Sequence, residues 1–244
     1  MFRYLLLLLL PVLIGCMKDD DPTLAVLRPK VGSTYTFSVA ALDERGARVS
    51  NDSTKKDGER DSAEAPRWRP DDTVATLMVV ASDVTFAGRE DAVVFAQQGG
   101  GANDTTCVAY LENGDLAIAA PNPVDTRRWI WVTIPTSGRV TSDTSFHLDT
   151  IISEMPVHID LLSSFGGSES MVVAGKPIKV QRGNMSFRVR YETSGGQMEG
   201  GIEEIIWFAP SIGFLVRKEV RGIGVDAFGA EQGMVMKLTG YTVK

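Results

Sequence analysis

The chain reads as an all-β protein, mainly antiparallel, folded as a single twisted sheet or half-open barrel with at most one or two short helices. Three observations predict this. Apolar residues recur at every second position through most ordered-looking stretches, those stretches are short and bounded by Gly, Pro, Asn or Asp, and the 3.6-residue period of an amphipathic helix is almost absent. With 244 residues, 43% of them hydrophobic, there is enough chain to bury a sizeable core.

The elements follow in order. Val31 to Leu42 sets Tyr35, Phe37 and Val39 on one face and Thr34, Thr36 and Ser38 on the other, a half-buried strand. Residues 43–72 form an insertion that is expected to be mobile. From Asn51 to Asp72 charges crowd around Pro66 and Pro70, and only Trp68 offers a large apolar group, too little to offset the entropy of ordering. Thr73 to Val84 and Asp91 to Gln97 predict two strands joined across Gly88-Arg89-Glu90. Cys107 to Leu111 and Leu116 to Ala120 flank Glu112-Asn113-Gly114-Asp115, where Asn-Gly suits the positive φ of a type I′ turn. Trp129 to Ile134 is apolar on both faces, which predicts a central strand. Further strands are expected at Val157 to Leu162, Ser170 to Ala174, Ile178 to Gln181, Ser186 to Glu192, Ile202 to Phe208, Gly213 to Val220 and Met234 to Val243. Residues 30–244 thus read as one antiparallel β domain.

The first residues carry an address. Arg3 supplies positive charge, and Tyr4 to Ile14 form an apolar run too short for the roughly 20 residues a membrane span needs. The run ends at Leu13-Ile14-Gly15-Cys16 and turns polar at Lys18-Asp19-Asp20-Asp21. Leu13 to Cys16 resembles the lipobox of bacterial lipoproteins. That resemblance implies cleavage before Cys16, a diacylglyceryl thioether on its sulfur, and acylation of the new amino terminus. Residues 1–15 would then be a signal peptide and 16–29 a lipidated tether. Since one acyl chain binds a bilayer only marginally and two or three hold it, the mature chain would stay on a membrane. Met17, where lipoproteins retained at the inner membrane often carry Asp, resembles the pattern of outer-membrane lipoproteins. The acidic run resembles a tag for cell-surface export, and it also suits a solvated tether repelled by anionic lipid.

A second resemblance lies near the C-terminus. Val172-Val173-Ala174-Gly175-Lys176, then Trp207-Phe208-Ala209-Pro210-Ser211-Ile212-Gly213, resembles a hairpin in a loose set of uncharacterised bacterial exported proteins and lipoproteins. Ser211 stands where that set usually has Gly. The resemblance implies an open or half-closed barrel akin to periplasmic lipid carriers and brings no catalytic residues. Read from the residues alone, Pro210 and Gly213 predict a tight reversal with Trp207 as a core anchor.

Composition excludes some functions. The net charge of −6, about −7 once Arg3 leaves with the signal, lacks the basic clusters of a nucleic-acid binder. With Cys16 lipidated, Cys107 has no partner, so no disulfide framework exists, and its apolar run predicts a buried, inert thiol. His147 and His158 each stand two residues before an Asp, so on strands each pair shares a face. His147, Asp149, His158 and Asp160 could together hold Zn²⁺. The competing reading has two hydrogen-bonded pairs on polar faces with Leu148 and Ile159 inward. No Gly-x-Ser-x-Gly elbow supports a hydrolase, and the adjacent carboxylates Glu203-Glu204 would face opposite ways on a strand, leaving Asp71-Asp72 as the other acidic pair. The glycine clusters at 99–101, 166–167, 195–196 and 200–201 lack the pattern of a phosphate loop or dinucleotide site and read as β-turn material that breaks strands.

These residues imply a non-enzymatic envelope lipoprotein, without cofactor beyond its acyl chains, that acts as a structural or interaction module for another envelope component. A different reading makes it a carrier of an apolar, lipid-like ligand, lined by Trp129, Trp131, Phe187, Trp207 and Phe208.

Overall fold

A computed structural model describes residues 25–42, 73–99, 105–122, 127–137, 144–152, 155–193, 195–224 and 233–244. Cys16, the signal segment, the insertion at 43–72 and Asp71-Asp72 lie outside them. The described residues form twelve strands: β1 (Thr34–Leu42), β2 (Thr73–Phe86), β3 (Arg89–Gly99), β4 (Thr105–Tyr110), β5 (Leu116–Pro121), β6 (Trp129–Ile134), β7 (Thr144–Ile152), β8 (Met155–Val173), β9 (Lys176–Thr193), β10 (Gly196–Ala209), β11 (Phe214–Gly224) and β12 (Gly233–Thr242). They make one antiparallel sheet in the order β6-β5-β4-β3-β2-β1-β12-β11-β10-β9-β8-β7. Two meanders are thus sewn together by the single long-range pairing of β1 with β12, and there is no helix among the described residues.

The sheet rolls until its ends approach. The Ser163 hydroxyl of β8 donates to the Thr133 carbonyl of β6 at 2.9 Å, and Gly183 of β9 leaves the space that Ile134 fills, since a Cβ there would sit 2.5 Å from the Ile134 methyl. No ladder joins β6 to β7 among the described residues, so the barrel stays open.

Inside the roll, Phe95 and Phe214 stack with ring centroids 4.2 Å apart, Tyr35 lies 4.7 Å from Phe214, and Phe37 meets Phe214 edge-on at 6.3 Å. All four rings are almost wholly buried. Buried phenols need partners. Tyr35 donates to the Ile212 carbonyl at 2.9 Å and Tyr110 to the Gly213 carbonyl at 2.6 Å, and burial holds both hydroxyls protonated far above the usual phenol range. A smaller cluster of Val157, Ile159 and Val189, with Leu148, Phe187 and Tyr191 packed on it, lies apart from this core.

Three sequence expectations are corrected. First, the type I′ geometry is not at Asn113-Gly114. Only Gly114 is left-handed there, with φ 87°, and the Leu111 amide reaches the Asp115 carbonyl across a three-residue loop. The Asp115 carboxylate decides this, because it accepts from the amides of Thr136 and Ser137 at 2.9 and 2.8 Å and from the Asn113 side chain at 2.7 Å. Two-residue turns with both φ values positive occur instead at Ala87-Gly88 and Ala174-Gly175.

Second, Gly166-Gly167 does not break a strand. It is a bulge inside the long β8, with the register shifting between Phe165 and Gly167, and Arg182 donating to the Gly166 carbonyl at 2.6 Å. β9 likewise runs unbroken from Lys176 to Thr193.

Third, β6 is an edge strand. Its second apolar face is covered by the tip of the β2–β3 hairpin and not by neighbouring strands. Three register shifts and a left-handed Asp83 bend that hairpin, and the Trp131 indole donates to the Ala87 carbonyl at 3.2 Å. On the face that carries Trp131, opposite the core, β4 and β5 present small side chains. Ala109 and Ala117 are buried there, and Cys107 is a free, buried thiol raised in pKa by desolvation.

Residues 25–29, read from sequence as part of the tether, pack against one end of the sheet. The Leu27 amide donates to the Pro210 carbonyl at 2.9 Å, Pro29 is buried, and the Arg28 guanidinium meets the Asp83 carboxylate at 2.9 Å and the Asp91 carbonyl at 2.6 Å.

Candidate functional site

The polar chemistry gathers on the face of β7, β8 and β9 that turns away from the small apolar cluster. Register sets His147 opposite Asp160 and Asp149 opposite His158, so the two His-x-Asp pairs run head to tail. Alternation sends Ile159, buried, and Leu148 to the other face. His147 Nδ1 lies 2.6 Å from Asp160, His147 Nε2 lies 3.1 Å from Asp149, and His158 Nδ1 lies 2.6 Å from Asp149. The ladder continues into β9 and β10: Arg190 donates to Asp160 at 2.6 Å, and Arg188 stands 3.7 Å from both Glu199 and Glu203. Glu203 and Glu204 do face opposite ways, since Glu204 pairs with Lys218 at 2.9 Å.

The electrostatics follow from this geometry. Each nitrogen of His147 faces a carboxylate, so the protonated ring satisfies both. The hydrogen bond to Asp160, then the charge of Asp149, raise the His147 pKa above 6.5. Asp149 is held below its usual 3.8 chiefly by its hydrogen bond from His158, and Asp160 by its bond from His147 together with Arg190. A raised His pKa stabilises the fold fully below 6.5, and that contribution is lost as pH rises through the folded-state value. The lowered Asp values stabilise above 3.8, and that is lost as pH falls through their depressed values. The ladder is therefore strongest between about pH 4 and 6.5. By NMR, His147 is expected to titrate above 6.5 and to fall toward 6.5 in Asp160→Asn; an unchanged midpoint in that variant refutes the coupling.

As for metal, the four candidates meet, but each Nδ1 is engaged by a carboxylate of the facing strand. No group of three or more His, Cys, Asp and Glu among the described residues is arranged to hold an ion.

The five aromatics proposed as a ligand lining occupy three separate places. Trp207 and Phe208 are buried in the main core, with the Trp207 indole donating to the Glu169 carboxylate and Arg217 stacked 4.7 Å over its ring. Phe187 packs on the small cluster of β8 and β9. Trp129 and Trp131 stand outside the roll against Phe86, at 5.4 and 6.3 Å, and Arg89, paired with Asp91 at 2.9 Å, lies over Trp131. Sequence reasoning missed Phe86, Arg89, Arg188 and Arg190 as site members. Alternation places Arg188 and Arg190 on one face with the His-Asp pairs only when the register is known, and nothing local foretells where Phe86 lands.

No protein-family model and no curated protein matches the chain. Two solved structures are similar in outline. A "putative lipoprotein" from Parabacteroides distasonis ATCC 8503 superposes with a TM-score of 0.46 at 12% identity, over 88% of this chain and 97% of that one. A "putative exported protein with YmcC-like fold" from Bacteroides fragilis NCTC 9343 superposes with a TM-score of 0.46 at 10% identity, over 89% and 98%. Among the described residues no helix is long and apolar enough to cross a membrane.

Proposed function

We propose that this protein is a bacterial lipoprotein of the cell envelope, tethered to the outer membrane through acyl chains on Cys16. It serves there as a non-catalytic interaction module for another envelope component. The observation that carries the modular reading is the aromatic packing inside the roll: Tyr35, Phe37, Phe95 and Phe214 are buried against one another there, while the His-Asp-Arg ladder and the Trp129 corner face outward. A sheet packed in this way offers its outer faces and edges to a partner. The anchor rests on Leu13-Ile14-Gly15-Cys16, since only a thiol forms the thioether and each buried methylene contributes about 0.8 kcal/mol to membrane binding.

Metabolic labelling with a palmitate analogue tests the anchor. The wild-type chain is expected to carry label and to fractionate with membranes, and Cys16→Ala to lose both. Equal labelling of the two, or a secreted product free of acyl chains, overturns the reading.

A further inference from the structure

We infer that β7 is an edge at which two copies of this chain pair antiparallel, about a two-fold axis that passes Leu148 normal to the sheet, so that His147 of each copy stands opposite Asp149 of the other. The contact joins identical chains, which goes beyond the modular reading above, and it does not depend on the anchor at Cys16.

The edge is long and open. β7 ends the sheet order, and its nine residues pair with β8 in unbroken register from Thr144 to Ile152, with no strand on the other side among the described residues. Such an edge presents a row of amide and carbonyl groups that templates the addition of a strand. Natural edges are blunted by lysine, proline or a bulge, and β7 has none of the three. Ile151 adds an apolar side chain there that is 72% exposed. The opposite end of the sheet differs. β6 has only six residues, its Thr133 carbonyl already accepts from Ser163, and the β2–β3 tip accepts a hydrogen bond from its Trp131.

The charges select the occupant. Asp149 stands in the middle of the edge with its side chain mostly exposed, next to an exposed His147, and a carboxylate there discourages most strands that would add. Opposed residues of an antiparallel pair share a face, so a two-fold axis normal to the sheet passes through a residue position. With the axis at Asp149 carboxylate meets carboxylate, and with the axis at His147 imidazole meets imidazole, both unfavourable when the groups are charged alike. With the axis at Leu148 His147 meets Asp149 twice, an opposite-charge rung on each side of the centre. Those rungs repeat the head-to-tail pattern that β7 already makes with β8, where His147 faces Asp160 and Asp149 faces His158. His147 and His158 both contact Asp149 through Oδ1, so among the described residues Oδ2 is open to a further donor. Asp160 and Asp149 in turn favour the protonated form of His147. The pairing is isologous and therefore closes, whereas β7 on β6 of the next copy would propagate without end.

The test uses the full-length protein in a non-ionic detergent, with micelles in enough excess to hold one anchor each. Sedimentation velocity is expected to show a dimer in the wild type and a monomer in Ile151→Lys, which sets a lysine on the edge at an exposed position. An unchanged unfolding midpoint confirms that this variant is folded. Disulfide trapping reads the register. Opposed residues stand about 4.5–5.5 Å apart and diagonal ones about 7–8 Å, and a disulfide needs Cα atoms within about 7 Å. An equimolar mixture of His147→Cys and Asp149→Cys chains is therefore expected to give several-fold more disulfide-linked dimer than either chain alone. Cys107 is buried and stays out of the reaction.

A monomeric wild type overturns the pairing, as an edge reserved for an extended segment of another protein would produce, and leaves the anchor and the modular reading standing. A dimer that persists undiminished in Ile151→Lys overturns β7 as the interface. Equal trapping in the mixture and in the separate variants overturns the axis at Leu148.

Discussion

Truncating Phe95 to alanine is expected to lower the stability of the fold by about 3–5 kcal/mol, the range for removing a fully buried aromatic and leaving a cavity behind. Phe95 has no exposed surface and sits between two partners, stacked on Phe214 and tilted against Tyr35 at 6.1 Å. The rings come from β3, β11 and β1, which belong to both meanders, so no single hairpin can move inward to close the gap. The loss is expected as a fall in the urea midpoint at an unchanged slope. A loss below about 1 kcal/mol contradicts the packed centre on which the modular reading depends.

Replacing Gly213 with alanine is expected to cost about 2–3 kcal/mol and to release the strap formed by residues 25–29. Two effects add at this position. Gly213 has φ 68°, where a Cβ is strained by 1 to 2 kcal/mol, and that Cβ would also collide with the Leu27 carbonyl oxygen and press on Pro29 at 3.0 Å. The strap cannot yield without giving up the bond from Leu27 to Pro210 and the clamp of Arg28 on Asp83 and Asp91. Limited trypsin digestion gives a second readout, because the Lys30-Val31 bond should be cut faster in the variant than in the wild type. Equal digestion with an unchanged midpoint refutes the role given to the strap.

Much of the local structure was legible. β1 alternates from Thr34 to Val39 because one face meets the core, with Tyr35, Phe37 and Val39 buried as expected, while Ala40, Ala41 and Leu42 beyond them are buried in succession. The Pro210 to Gly213 reversal between β10 and β11 stands where proline and glycine predict it. The failures share a cause. Trp129 to Ile134 looks central because both faces are apolar, yet the second face is covered by a hairpin bent back from β2 and β3, a contact between residues far apart in the chain. Gly166-Gly167 reads as a break, but a long strand with a bulge uses the same residues, and only the pairing of β8 with β9 distinguishes the two.

For the candidate site the division is similar. His147-x-Asp149 and His158-x-Asp160 announce shared faces by spacing alone. That each imidazole meets the carboxylate of the other pair, and that Arg190 completes Asp160, follows from register across three strands. The spacing allowed either metal ligation or mutual hydrogen bonding, and the facing rungs brought about the second.

By itself the sequence determined the all-β class, most strand positions and the candidate anchor at Cys16, because alternation, turn residues and a lipobox-like run are written in neighbouring residues. The tertiary structure alone decided the sheet order, the edge position of β6, the docking of residues 25–29 and the gathering of Phe86 with Trp129 and Trp131. Each of these depends on a contact whose partners lie tens of residues away, and no local period encodes which distant segment will supply the missing face.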